Sequence, residues 1–365
     1  MKRYILEMPQ IRILVVDDSV VVRRMLSNIL NEDPEISVVG AAANGYIALA
    51  KISQVNPDLV ILDMDMPDMD GVETLAAIRK ENQHLPVIMF SSMTGSGARV
   101  TVESEYTSLG VTDYIAKPHN MKSKEAAREY IQEQLIPKIK IFCGKSRRAR
   151  NLASPKIETE KIIYHPKSPS RKPMEIVAIG VSTGGPNALE AILPQFPPNF
   201  PVPIVIVQHM PPVFTKRLAE RLAQKSQIQI KEGFTSGRLT PGLAWIAPGD
   251  YHLIVERQGT TIQLRTHQEK PENSCRPAVD VLFRSVAKIY GSSTLAVVLT
   301  GMGQDGFNGC QSIREVGGEI IVQDEATSVV WGMPGIVANA GLADRVLPLP
   351  EIAGEIIRRV ELFSS

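Results

Sequence analysis

Cysteine is scarce in this chain of 365 residues, which has three, and no two of them form a C-x-x-C pair. This scarcity argues against a disulfide framework and a zinc site, and it is typical of a protein in a reducing cytosol. A charge excess is also missing, because 40 Lys and Arg balance 39 Asp and Glu. Nucleic-acid binding and membrane-surface binding both need a basic excess, so neither is expected as the main task.

Long apolar runs are absent too, since no stretch of 18 apolar residues occurs, and no membrane-spanning helix or membrane insertion is predicted. The N-terminus starts with basic residues, but its apolar run, residues 11–16, is short and ends in two aspartates. Because a small-residue cleavage site is also missing, a signal peptide is not predicted, and we expect a cytoplasmic protein. The length itself predicts two domains.

Short apolar runs rich in Val and Ile alternate with helical patterns from residue 11 to about residue 142. Such runs are typical of strands buried on both faces of a parallel sheet. The alternation predicts an α/β fold with a doubly wound parallel sheet and right-handed crossovers. The five predicted strands are 11–16, 36–42, 59–62, 86–91 and 113–117.

A second α/β pattern begins at residue 174, and within it residues 251–256 and 261–266 flank a short turn and predict a β-hairpin. The segment 143–173 between the two patterns holds nine Lys or Arg, two Glu and four Pro, without periodicity. We interpret it as a basic interdomain linker, with a basic partner-binding arm as the alternative. The other predicted strands are 175–180, 203–208, 228–232, 243–247, 294–300 and 319–323.

Five polar residues stand at four strand ends of the first pattern: Asp17, Asp18, Asp63, Ser91 and Lys117. Since ligands bind at the carboxyl ends of strands in open parallel sheets, these side chains are expected to converge. Three close carboxylates repel one another, so either one takes up a proton or a hard cation such as Mg²⁺ neutralises them. A lysine and a hydroxyl beside that cation would suit a phosphoryl group. Helix capping explains a single such aspartate equally well, but not the whole set.

The stretches DDSVVVRRML, LDMDMPDMDG, IMFSS and YIAKP resemble a two-component response-regulator receiver domain, over about residues 10–142. The resemblance implies a flavodoxin-like fold in which Asp63 is the phosphoacceptor. It also implies that Ser91 and Lys117 read out the phosphoryl group, with Tyr114 at the aromatic switch position. The implied Mg²⁺ ligands are Asp17, Asp18, Asp63 and the backbone carbonyl of Asp65.

A serine follows the first strand of the second pattern in the frame G-x-S-x-G, which consists of Gly180, Ser182 and Gly184. In this motif a tight strand-to-helix turn exposes the serine oxygen and directs nearby backbone N–H groups towards it. The motif also arises by chance in glycine-rich loops, so it predicts a nucleophile only together with a base and an orienting acid.

The base that such a serine requires is expected at His209, because this residue ends a strand at the same sheet edge. His252 and His267 fall in the predicted hairpin, away from that edge. Asp305 follows another strand and is placed to orient the histidine. The order Ser182, His209, Asp305 differs from the α/β-hydrolase order, which indicates a different fold with independently acquired triad geometry.

A glycine motif overlaps this region, since Gly301, Gly303 and Gly306 spell G-x-G-x-x-G after a strand. The pattern is also that of a dinucleotide-binding loop. Asp305 would then place a carboxylate against a pyrophosphate, which is an unfavourable contact, so NAD binding is the disfavoured alternative.

The stretches IGVSTGGP, QHMPPVFT and LTGMGQDGFNG resemble the catalytic domain of chemotaxis protein-glutamate methylesterases, over roughly residues 174–365. The resemblance implies a Rossmann-like esterase domain without a cofactor, in which Ser182, His209 and Asp305 are catalytic. It places the oxyanion contacts at the backbone of Thr183 and Met302. The implied substrates are methylated glutamates of methyl-accepting chemotaxis receptors, and some members also deamidate receptor glutamines.

The sequence as a whole predicts a phosphorylation-activated serine esterase with a receiver domain at 10–142, a linker at 143–173 and a catalytic domain at 174–365. A chemotaxis histidine kinase is the expected phosphodonor. We expect the unphosphorylated receiver to cover the triad. The alternatives are a receptor adaptor without turnover and a transcriptional regulator, and the second is disfavoured because no helix-turn-helix pattern is present.

Overall fold

The structure is a computed structural model, and it describes residues 10–91, 111–117, 124–151, 173–212 and 214–361. The chain divides into two compact units between Thr159 and Glu160. Among the described residues, no helix combines the length and the apolar character that crossing a membrane requires. Residues 152–172, most of the predicted linker, lie outside the described residues.

The first unit contains a five-stranded, fully parallel sheet in the order β2-β1-β3-β4-β5. This is the flavodoxin-like order, in which the chain reverses direction across the sheet between β1 and β3. The predicted strands are confirmed to within one residue at each end. They are β1 (Ile11–Val16), β2 (Ile36–Ala42), β3 (Leu59–Leu62), β4 (Val87–Ser91) and β5 (Asp113–Ala116).

Helices cover the sheet of the first unit, and local capping sets the start of the first and the third. Ser19 accepts the N–H of Val22 to begin the first helix, and Asp70 forms a capping box with Glu73 to begin the third. The fifth helix extends nine residues into the segment predicted as linker. The helices are α1 (Val20–Leu30), α2 (Gly45–Val55), α3 (Gly71–Glu81), α4 (Lys124–Gln134) and α5 (Ile136–Asn151).

The second unit contains a seven-stranded parallel sheet and the predicted antiparallel hairpin, β10 with β11. The sheet order is β14-β13-β12-β6-β7-β9-β8, which confirms a second doubly wound α/β fold. Only β14 was not predicted, because three residues at a sheet edge leave no measurable pattern. The strands are β6 (Ile176–Val181), β7 (Ile204–Gln208), β8 (Gln229–Glu232), β9 (Leu243–Ile246), β10 (His252–Gln258), β11 (Thr261–His267), β12 (Thr294–Val298), β13 (Glu319–Gln323) and β14 (Arg345–Leu347).

The sheet order of the second unit places β6 between β7 and β12, with the carboxyl ends of all three at one edge. The strand order reverses at β6, because the next strand, β7, lies on one side of it and the later strand β12 lies on the other. In such folds, ligands bind in the crevice at the carboxyl ends of the strands where the order reverses. The surrounding helices are α6 (Gly185–Ile192), α7 (Phe214–Lys225), α8 (Val279–Tyr290), α9 (Phe307–Glu315), α10 (Met333–Asn339) and α11 (Leu349–Glu361).

Candidate functional sites

Three carboxylates meet at the carboxyl edge of the first sheet, as the sequence predicts. One oxygen from each of Asp17, Asp18 and Asp63 can be chosen so that all three atoms lie within 4.8 Å of one another. Asp17 and Asp63 are 1% and 2% exposed, whereas Asp18 faces solvent. Two of the three charges are therefore removed from water and need compensation.

Lys117 supplies part of that compensation. Its ammonium lies 2.9 Å from Oδ2 of Asp17 and 2.6 Å from Oδ2 of Asp63. Burial raises the pKa of Asp63 to about 6, although the lysine acts in the opposite direction. Burial alone would lower the pKa of Lys117, but the contacts with Asp63 and Asp17 outweigh it and leave this pKa raised.

The cluster fits a hard cation. Oδ1 of Asp63 is buried and has no hydrogen-bond partner among the described residues, so one acceptor remains unsatisfied within the cluster. Clustered carboxylate oxygens are the ligands that Mg²⁺ prefers. Asp65, two residues beyond Asp63, is exposed at the same edge.

The two other predicted receiver residues lie on adjacent strands. Ser91 ends β4 opposite Ala116 of β5, but its side chain is outside the described part of the structure. Tyr114 stands opposite Met89 in the same strand pair and is half-buried against the core between sheet and helices. Their roles remain predictions.

In the second unit, Ser182 lies in a tight turn directly after β6. Its N–H donates to the carbonyl of Thr300 at 3.0 Å, and its own carbonyl accepts the N–H of Gly185 at 2.8 Å. Gly184 has a φ of +81°, which favours glycine, and it begins α6. The G-x-S-x-G frame therefore has the strand–turn–helix context that the sequence predicts.

His209 follows β7, and its Nε2 lies 2.7 Å from Oδ2 of Asp305. The structure thus brings together the predicted base and its orienting acid, residues separated by 96 positions in the chain. Burial alone would lower the pKa of His209, but the contacts with Cys275 and Asp305 outweigh it, and the pKa is raised.

Asp305 is 2% exposed and accepts four hydrogen bonds besides that of His209. Burial would raise the pKa of Asp305, but the hydrogen bonds from His209, Asp280 and Val279 outweigh it and lower the pKa. An ionised Asp305 requires the histidine proton on Nε2, which leaves Nδ1 as the basic nitrogen. The four further donors are the N–H groups of Val279 (2.6 Å), Asp280 (3.0 Å) and Gly306 (3.0 Å), and the amide of Asn273 (2.9 Å).

Two contacts of this pair were missed by the sequence analysis. Cys275 places its sulfur 3.6 Å from Nδ1 of His209, and Asn273 reaches Asp305 from the same turn. Among the described residues, the ring of His209 is hydrogen-bonded to Asp305 and Cys275 and not to the hydroxyl of Ser182. The segment ENSCRP gives no periodic or motif signal that would have identified these contacts.

The predicted oxyanion donors are Thr183, which follows Ser182 in the chain, and Met302, in the loop after β12. In the described part of the chain, no protein group accepts a hydrogen bond from the backbone N–H of Thr183 or of Met302. The loop that carries Met302 approaches the serine closely, because a Cβ on Gly301 would lie 2.8 Å from Cβ of Ser182. This absence of a protein acceptor is compatible with the predicted role of both N–H groups as oxyanion donors.

The structure does not support a dinucleotide-binding loop at residues 301–306, or His252 or His267 as the base. Asp305, within the G-x-G-x-x-G loop, is buried against His209 instead of leaving the loop open to a pyrophosphate. His252 and His267 face each other across the β10–β11 hairpin with ring centroids 5.3 Å apart. Nε2 of His252 lies 3.1 Å from the carbonyl of Lys270, so this histidine is held by local backbone contacts.

Each of the two units matches a known protein family. The CheB methylesterase family matches residues 177–356, and the response regulator receiver domain matches residues 13–127. A crystal structure of the Thermotoga maritima CheB methylesterase catalytic domain has a TM-score of 0.50 and 46% identity, covering 51% of this chain and 98% of that one. This similarity supports the fold described for the second unit.

Full-length relatives also match. A protein-glutamate methylesterase/protein-glutamine glutaminase of Trichodesmium erythraeum is 58% identical over 356 residues, which cover 97% of this chain and 100% of that protein. A protein of the same name from a Nocardioides species is 48% identical over 355 residues, covering 97% of this chain and 96% of that protein. At this identity and coverage, the chain belongs to the protein-glutamate methylesterase/protein-glutamine glutaminase family.

Proposed function

We propose that this protein is a phosphorylation-controlled serine esterase that hydrolyses glutamate methyl esters on chemotaxis receptors and deamidates receptor glutamines. The 2.7 Å contact between His209 and Asp305, at the sheet edge where Ser182 follows the adjacent strand, carries the proposal. The proposed units are a receiver at 10–142, a linker at 143–173 and an esterase at 174–365.

In the proposed reaction, Oγ of Ser182 attacks the carbonyl carbon of the methyl ester while Nδ1 of His209 takes the serine proton. The negative charge of the tetrahedral intermediate develops beside the N–H groups of Thr183 and Met302. The histidine then gives the proton to the leaving methoxide, and methanol departs. Water, deprotonated by the same nitrogen, releases the glutamate from the serine.

Asp305 has two tasks in this scheme. Its carboxylate fixes the proton of the neutral imidazole on Nε2, and it stabilises the imidazolium that forms when Nδ1 accepts a proton. The four additional donors to the carboxylate keep it ionised and fixed in position. The same groups would serve glutamine deamidation, with ammonia as the leaving group.

Control is assigned to the receiver. Asp63 is the proposed phosphoacceptor, with Asp17, Asp18 and the carbonyl of Asp65 as the groups that would hold Mg²⁺. The bound cation would supply charge neutralisation for the phosphoryl oxygens. Lys117, which already contacts Asp63, is suited to bind a phosphoryl oxygen, and Ser91 and Tyr114 are the proposed readout residues. A chemotaxis histidine kinase is the proposed phosphodonor.

The decisive experiment measures methanol release from methylated chemotaxis receptor by the full-length protein, with and without a small-molecule phosphodonor and Mg²⁺. We expect release in both conditions and a higher rate with the phosphodonor, while Ser182→Ala releases none. Receptor binding without methanol release would instead support an adaptor without turnover. Deamidation is followed separately as ammonia release from a receptor that carries glutamines.

A further inference from the structure

A four-residue turn, residues 272–275, contacts both members of the His209–Asp305 pair. The backbone N–H and carbonyl of Glu272 and Cys275 are hydrogen-bonded to each other at 3.1 and 2.9 Å. Between them, Asn273 and Ser274 have φ values of 51° and 59°, the left-handed conformation that asparagine tolerates well. The turn therefore presents the side chain of Asn273 in one fixed direction.

The amide of Asn273 lies between two buried carboxylates. Its Nδ2 donates to Oδ1 of Asp305 at 2.9 Å and to Oδ2 of Asp280 at 3.0 Å. Asp305 and Asp280 are 2% and 0% exposed, so water does not screen their mutual repulsion. Burial raises the pKa of Asp280, and the charge of Asp305 raises it further. One neutral group thus donates to an oxygen of each carboxylate.

We infer that Asn273 is a positioning residue of the proposed esterase, which holds Asp305 against His209 and offsets the negative charge of the Asp305–Asp280 pair. The inference rests on the proposed function, because it assigns a role in the same reaction. Asn273 acts through Asp305, and among the described residues no hydrogen bond joins its side chain to Ser182.

Loss of this amide would change the proton affinity of His209. The titratable groups that face the ring are Asp305, from the loop after β12, and Cys275, from the turn. Asp280 of α8 lies one layer behind, and Glu272 is paired with Arg284 at 2.6 and 2.7 Å on the outside of the turn. Without the amide, the carboxylates favour the protonated imidazole more strongly, and the base becomes available only at higher pH.

Two substitutions separate this role from a structural one. Asn273→Gly removes the amide and keeps a residue that adopts positive φ without strain. Asn273→Asp keeps the shape and replaces the amide with a third acidic group. Ser274→Gly is the matched control, because it introduces the same flexibility at the neighbouring exposed position of the turn.

The experiment records kcat and KM for methanol release by the full-length protein from pH 5.5 to 9, with melting temperatures measured in parallel. For Asn273→Gly we expect kcat to fall about 10- to 100-fold, the value of a hydrogen bond to a charged group, with KM within threefold. In the pH profile of kcat/KM, the acidic limb of Asn273→Gly should lie at higher pH than that of the wild type. The acidic limb of Asn273→Asp should lie at still higher pH. Ser274→Gly should match the wild type in both respects.

The outcomes distinguish the inference from the proposed function. A wild-type protein that releases no methanol overturns the proposed function itself. An active wild type whose acidic limb coincides with that of both Asn273 variants overturns the positioning role, even if those variants melt earlier.

Discussion

The sulfur of Cys275 lies 3.6 Å from Nδ1 of His209, the ring nitrogen proposed to accept the proton of Ser182. In the neutral imidazole, Nε2 carries the proton towards Asp305, so Nδ1 accepts a hydrogen bond from the thiol. A thiol is a weak donor, so this contact can yield to the serine hydroxyl when substrate arrives. A permanent group on the same sulfur could not yield, and the esterase should be sensitive to it.

Modification of Cys275 by methyl methanethiolsulfonate should inactivate the enzyme. The reagent transfers its methylthio group to the cysteine sulfur, forming an S–S bond and releasing methanesulfinate. The S–SCH3 group then lies against the imidazole. We expect at least a tenfold loss of methanol release, restored by dithiothreitol. Cys275→Ser should be active and insensitive, whereas the other two cysteines, Cys143 and Cys310, are buried. Full activity after stoichiometric labelling of Cys275, verified by mass spectrometry, would contradict this expectation.

Ser182→Ala should abolish hydrolysis without unfolding the protein, since it removes one oxygen from a turn held by backbone hydrogen bonds. Loss of a nucleophile costs on the order of 10⁶ in kcat. His209→Ala should cause a comparable loss, and the double variant should be no worse than either single variant, because members of one catalytic unit are strongly non-additive. His267→Ala is the control and should remain active. Ser182→Ala activity within tenfold of the wild type would refute the assignment.

The extent of sequence-based prediction differs between the sheets and the loops. Strands such as β6 and β12 are buried on both faces and appear as continuous apolar runs, so their ends were located to within two residues. The strand ends then placed Ser182, His209 and Asp305 at one edge, because parallel strands share their polarity. That step requires only topology.

The remainder of the site depends on irregular backbone. Asn273 and Cys275 belong to a turn whose two left-handed residues have no periodicity, and their partners lie 32 and 66 positions away in the chain. No spacing rule connects such residues before the loop is folded. Helix α5 extends beyond residue 142, the predicted end of the receiver domain, for a related reason, since the sequence of its last turns, up to Asn151, is charged and has no apolar periodicity.

Asp63→Asn should stabilise the first unit at pH 7.5 in the absence of Mg²⁺. Burial holds the pKa of Asp63 at about 6, above the 3.8 of an unfolded chain. Protonation of Asp63 therefore stabilises the folded unit fully below pH 3.8, and this contribution is lost as the pH rises through 6. The loss in the free energy of unfolding is on the order of 1–3 kcal/mol. The neutral amide avoids this loss. Calorimetry at pH 7.5 should show a higher melting temperature for the variant.

The same measurement tests the cation site. Millimolar Mg²⁺ should raise the melting temperature of the wild-type first unit, because the cation binds the folded carboxylate cluster. Asp63→Asn should respond much less, while Asp68→Asn, an exposed neighbour outside the cluster, should respond like the wild type. Equal Mg²⁺ shifts in all three proteins would exclude Asp63 as a ligand.

His252 should make the second unit less stable in mild acid. Burial lowers its pKa, and the charges of His267 and Arg276 lower it further, while its Nδ1 accepts the N–H of Ala278. A lowered pKa means that the stability contribution is complete above the unfolded value of about 6.5 and is lost as the pH falls below it. His252→Asn, which keeps an acceptor oxygen but cannot be protonated, should lose less stability between pH 7.5 and 5.

Urea unfolding followed by tryptophan fluorescence measures this effect selectively, because both tryptophans, Trp245 and Trp331, lie in the second unit. His84→Asn, at an exposed position of the first unit, is the control and should show the wild-type decline. Parallel stability curves for the wild type and His252→Asn would show that His252 is not the group responsible.

Phosphorylation should control the esterase through Asp63. A phosphoryl group adds nearly two negative charges beside Lys117, and the lysine and the β4–β5 edge can rearrange towards it. We expect a phosphodonor with Mg²⁺ to raise methanol release by the full-length protein, and Asp63→Asn to remain at the basal rate.

Removal of residues 1–142 distinguishes two forms of control. A faster fragment indicates that the resting receiver restrains the esterase, as we expect. A fragment slower than the unphosphorylated full-length protein, on the same receptor, indicates that the receiver contributes to activity and rules out restraint.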